Sequence, residues 1–206
     1  MKRNLIVFAL CICLLLGTLV CLSATAQGYE AVPSFFLDFT NKSIAKELKG
    51  VGNMTYEVSE GEHCTFTATA NDPSMELPVP EVNVCDAAYL AIEYRTTSKV
   101  MGEIYIARTD GVSFSQDPAS HLEWTWDADG EWHKIIVRCD GWADVQDVKF
   151  AQLRFDPLHL HQGIKVDDAI ELRYFAFFDS EEKAQAFDLT AYQEYEKQEQ
   201  QKQEEA

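Results

Sequence analysis

Between Glu123 and Trp142 the stretch "EWTWDADGEWHKIIVRCDGW" holds all four tryptophans of the chain, together with five carboxylates and one histidine. Residues of these types serve acid–base hydrolysis, sugar binding on aromatic faces, or the packing of a hairpin whose apolar side turns inward. Hydrolysis needs two carboxyl groups on opposite sides of a bond. Asp127, Asp129 and Glu131 instead crowd one turn. No G-x-S-x-G elbow, H-E-x-x-H pair or phosphate-binding G-x-x-x-x-G-K-[ST] loop occurs in the chain. These residues therefore predict no enzyme.

Alternation along the stretch separates two faces. Leu122, Trp124 and Trp126 share the side expected to meet a core, and His121, Glu123, Thr125 and Asp127 share the other. "DADG" is expected to close a hairpin, with Gly130 free to take a positive φ. On the return strand Ile135 and Val137 face inward, which leaves Trp132, Lys134 and Arg138 outward. Trp132, partly exposed, and Trp142, in the loop beyond, are the tryptophans left as candidate ligand contacts. The Glu-X-Asp-X-X-Glu arrangement of jelly-roll glucanases is missing from "EWTWDADGE".

Two metal readings compete with plain loops. In "LHLHQG", His159 and His161 would share a face if extended, with Asp156, Asp167 or His121 as a third ligand. A solvated loop between Pro157 and Gly163 explains the same residues. Hard oxygens at Asn71, Asp72, Asp167 and Asp168 suit a structural calcium ion, and Asp72, Asp167 and Asp168 are its candidate ligands.

The elements that must carry these residues begin after a leader. Lys2 and Arg3 precede an apolar run from Leu5 to Leu22 and then "SATAQ", the pattern of a signal peptide over residues 1–26 cut after Ala26. A secreted, extracellular chain with no membrane attachment after cleavage is expected. Cleavage removes Cys11, Cys13 and Cys21 and leaves Cys64, Cys85 and Cys139, which allow at most one disulfide. The formal charge of −17 repels phosphate backbones and anionic lipid, so nucleic acid is excluded as a natural partner. From Pro33 to Phe178 period-two alternation is broken at short intervals by turn residues. This pattern predicts an all-β, two-sheet antiparallel sandwich over residues 27–188. Leu90, Ile92 and Tyr94 face in, as do Ile104 with Ile106 and Leu153 with Phe155. Ser180 then caps a short helix near the C-terminus, and Ala184 and Phe187 are placed to dock. Residues 189–206 form a Glu/Gln/Lys-rich tail, helical or disordered.

The segments "FTATANDPSMELP", "AYLAIEYRTT", "DGEWHKIIV", "LRFDPL" and "IELRYFAFFDSEEKAQAF" come in an order and spacing that resembles a carbohydrate-binding-like, galactose-binding-domain-like jelly roll. Such modules occur in secreted and cell-surface proteins of clostridial-type bacteria, and the likeness spans about residues 33–188. "DGEWHKIIV" is also similar to a strand of laminin-G-like domains. The resemblance implies a non-catalytic module that binds a glycan on a cell wall or extracellular polymer, in some members with structural calcium. The rival reading is a structural or protein-interaction subunit at the cell surface. For sugar binding, the outward row Arg95, Tyr105, Gln152, Arg154 and Trp132 supplies aromatic and planar polar groups, provided their strands are neighbours.

Overall fold

The computed structural model describes residues 29–160 and 163–205. The expected signal peptide and His161 lie outside the described residues. The described residues divide into two compact units, one over 31–189 and one made of 29–30 with 190–205.

The larger unit is a two-sheet antiparallel sandwich. One sheet has the order β3 (Met54–Ser59), β4 (His63–Ala68), β11 (Ala169–Phe178), β6 (Tyr89–Arg95) and β9 (His133–Arg138), and β1 (Phe35–Asp38) also pairs with β11. The other has the order β2 (Lys49–Gly52), β5 (Ser74–Glu76), β10 (Phe150–His159), β7 (Met101–Arg108) and β8 (His121–Thr125). Their inner faces interdigitate through aromatic rings. Phe150 of β10 stacks on Phe177 of β11 at 5.7 Å, and Phe155 meets Phe175 at 5.3 Å. Leu90, Ile92, Tyr94, Ile104, Ile106, Leu153 and Phe155 are all buried in this core, on the side that alternation assigns them.

The hairpin expected at "DADG" is not formed. β8 pairs with β7 in one sheet, while β9 pairs with β6 in the other. Residues 126–132 therefore carry the chain across the sandwich, with Gly130 at φ +84°. Alternation specifies which way a side chain points but not which strand lies beside it. Trp126 anchors the crossing by packing on Tyr94 at 4.3 Å and donating its indole N–H to the Pro157 carbonyl at 3.0 Å. Trp124 lies buried on β8.

A short helix, α1 (Ile44–Glu47), follows β1, and α2 (Glu181–Ala186) follows β11. The Ser180 hydroxyl accepts the Lys183 N–H at 3.4 Å to cap α2. Lys134, reaching from β9, donates to the carbonyls of Ala184, Gln185 and Phe187 at 3.2, 2.8 and 3.1 Å. A cation at a helix C-terminus satisfies carbonyls that have no partner within the helix. Phe187 then rests on Tyr174, Phe178 and Phe36, so α2 covers part of the outer face of the first sheet. Cys64, Cys85 and Cys139 are all free thiols.

Helix α3 runs over Leu189–Glu204, its residues from Thr190 on belonging to the smaller unit, where Tyr29 stacks on Tyr195 at 5.9 Å. Among the described residues no helix is long and apolar enough to cross a membrane.

Candidate functional site

The proposed outward row is split by the topology. Arg95 is on β6 and Trp132 immediately precedes β9 of the same sheet, whereas Tyr105, Gln152 and Arg154 belong to the sheet containing β7 and β10. The five residues thus occupy outer faces on opposite sides of the sandwich and cannot meet one ligand. The condition that their strands be neighbours holds within each group and fails between them.

On the first face, Trp132 is already covered. The guanidinium of Arg173 lies 4.0 Å from its ring centroid and that of Arg95 4.8 Å, with His63 at 5.9 Å. Arg95 pairs with Glu171 on the neighbouring strand, and Arg173 pairs with Glu93 at 3.3 Å. Arg173 reaches this position through a register shift between Leu172 and Tyr174. Such bulges re-aim side chains. Arg95 also lines a shallow cleft with Thr65, Thr96, Thr97, Gly130 and Glu171. Trp142, the other tryptophan proposed as a ligand contact, is fully buried and donates its indole N–H to the Ala87 carbonyl at 3.3 Å. A loop position did not keep so large an apolar ring in solvent.

The second face is built by three strands in register. His121 of β8 faces Tyr105 of β7, and Tyr105 faces Arg154 of β10. The imidazole stacks on the phenol ring at 4.7 Å, and the guanidinium lies 5.5 Å from the ring on its other neighbouring strand. Beside the row on the same face sit two buried carboxylates, Glu103 and Asp156, each 2 % exposed and directly opposite one another in register. Glu103 accepts the Tyr105 hydroxyl at 2.5 Å and a bond from His121 Nε2 at 2.6 Å. Its other oxygen faces His159 Nδ1 at 3.2 Å. Arg154 donates to both oxygens of Asp156, at 2.8 and 2.6 Å, and to Asp72 at 2.8 Å.

The electrostatics follow from this burial. Burial first, and then the Glu103 acceptor, push the Tyr105 phenol up, so it stays a donor. Burial holds the Asp156 carboxyl up at about 6 against the opposing pull of Arg154.

Exposed groups complete the face. Gln152 lies on β10 two register positions from Arg154, opposite Ala107. Gln116, from the loop joining β7 to β8, donates to the Tyr105 hydroxyl. Phe114, from the same loop, is 37 % exposed with its ring 6.1 Å from Tyr105. The sequence reading missed Phe114 and Gln116. Phe114 stands in "GVSFSQDPAS", a turn-rich segment without alternation, where an isolated aromatic is itself the only signal.

The calcium candidates do not converge. Asp72 is engaged by Arg154, and the Asp168 carboxylate accepts the Lys165 N–H at 2.9 Å. Asp72 and Asp167 have positive φ of 59° and 75°, which fits turn positions where aspartate is tolerated. Asp72, Asp167 and Asp168 form no cluster with three convergent ligand atoms among the described residues.

No family model matches the chain, and no curated protein does. Among solved structures, the Endo-D glycoside hydrolase domain from Streptococcus pneumoniae R6 is similar with a TM-score of 0.47 and 13% identity, over 65% of this chain and 21% of that one. A low-affinity xylan binding module, CBM86 from Roseburia intestinalis, aligns at a TM-score of 0.45 and 9% identity, over 69% of this chain and 92% of that one. The non-crystalline cellulose specific module CBM28 aligns at 0.46 and 10% identity, over 74% and 97%. At these scores none of them assigns a ligand to this chain.

Proposed function

We propose that the chain is a non-catalytic carbohydrate-binding module of an exported protein, holding its glycan against the outer face of β8, β7 and β10. The carrying observation is the cross-strand row His121–Tyr105–Arg154, flanked by the exposed Gln152, Gln116 and Phe114. The exposed side-chain amides of Gln152 and Gln116 beside the row suit hydrogen bonding to sugar hydroxyls. Phe114 adds an apolar surface of the kind that packs on the CH patch of a pyranose. The anchoring of Arg154 by Asp156 and Asp72 holds the guanidinium in place before any ligand arrives, which lowers the entropic cost of binding. The opposite face is less suited, since Trp132 is already occupied by two guanidinium groups.

A glycan array with the purified chain, followed by titration of the best ligand, tests this reading. Phe114→Ala removes an exposed ring with little effect on the fold and is expected to cost about 1 kcal/mol of binding, roughly fivefold in affinity. Gln152→Ala is expected to weaken the same ligand, and Trp132→Ala to leave it unchanged. Binding lost only on Trp132→Ala would move the site to the other sheet. A chain that recognises no glycan would favour the protein-interaction role instead.

A further inference from the structure

We infer that Glu103, Glu123 and His159 form a binding site for a divalent transition-metal ion, of which zinc is the best-matched example. The three come from three adjacent strands, and their ligand atoms all lie within 4.8 Å of one another. This set differs from the histidine pair and the aspartate loops suggested by sequence spacing.

A local irregularity of β10 creates the site. Strict alternation after Leu153 and Phe155 would turn residue 157 inward and residue 158 outward. The register instead shifts between Asp156, opposite Glu103, and His159, opposite Met101. The extra residue lets Leu158 stay in the core and turns His159 toward the carboxylate of Glu103. Pro157 falls inside the shift, at a place where a missing N–H costs no ladder hydrogen bond.

The geometry matches the proposed ion. His159 Nδ1 and Glu103 Oε2 are 3.2 Å apart. Two ligand atoms at zinc bond lengths and a tetrahedral angle are separated by about 3.3 Å. Glu123, exposed on β8 and directly opposite Glu103, supplies a second carboxylate whose flexible side chain closes the remaining distance and leaves an open path for entry. One imidazole nitrogen with two carboxylate oxygens suits zinc better than calcium, which takes six or more oxygen ligands. The other oxygen of Glu103 already accepts from Tyr105 and His121, an outer layer of hydrogen bonds of the kind that orients a metal-binding carboxylate.

Isothermal titration of zinc into the chelator-stripped chain tests the site without any sugar present, so its outcome is independent of the glycan reading. One saturable site is expected. His159→Ala and Glu123→Gln should each weaken it by roughly tenfold or more, while Cys85→Ser and His63→Ala should leave it unchanged. Glu123 is exposed, so its variant keeps the test decisive if His159→Ala fails to fold. Cobalt titrated in place of zinc should give visible absorption bands that Glu123→Gln alters. Absence of saturable binding, unchanged affinity in Glu123→Gln, or loss in Cys85→Ser would overturn the proposal.

Discussion

Single residues give direct tests of the packing and electrostatics around them. Asp156 holds its proton up to about pH 6 in the folded chain, whereas an unfolded aspartate releases it near pH 4. Between those values the folded state binds more protons, so this group's contribution to stability falls as pH rises from about 4 to 6 and is level above that. Urea denaturation across the window should show the decline, and Asp156→Asn should flatten it. Gly102, opposite Trp124 in the β7–β8 register, has no room for a side chain, because a Cβ there would overlap the indole. Gly102→Ala should destabilise the fold by about 2 kcal/mol through overpacking, measurable as a lower denaturation midpoint with an unchanged slope. Thiols offer a third check. Burial pushes Cys64 up to about 12 and raises Cys139 as well, while Cys85 is only half-buried. Of these three, Cys85 alone should react with a thiol reagent under native conditions.

At the scale of elements, α2 is held from both ends. Ser180 caps its start, and Lys134 gathers the carbonyls at its finish. Ser180→Ala should cost about 1 kcal/mol, and Lys134→Met should speed hydrogen exchange in α2 while leaving β10 protected. The sequence foretold the first contact, because the Ser180 cap followed by two glutamates is a local signal. It could not foretell the second, since Lys134 and Ala184 are fifty positions apart and nothing local relates them. The same division runs through the candidate site. Alternation correctly turned Tyr105, Gln152, Arg154, Arg95 and Trp132 outward, because burial of one strand face is a periodic property. It could not say which sheet each strand would join, and so it merged two faces into one. His159 illustrates another limit: its direction depends on a bulge, which breaks the period that made the other assignments possible.

For the molecule as a whole, the strand order of the first sheet has a consequence for when the chain can fold. β11 is the last of the described strands, yet it lies inside its sheet, with β6 on one side and β4 and β1 on the other. A chain emerging from a ribosome can pair β3 with β4 and β6 with β9 early. It cannot join those pairs until residues 169–178 arrive. Until then, edges of both pairs present unsatisfied backbone groups, the condition that favours misassociation. A chain ending at Asp168 should therefore lack the cooperative melting transition of the intact sandwich. Strand β11 acts as a keystone, and its arrival, rather than any earlier nucleus, sets the moment at which the first sheet can close.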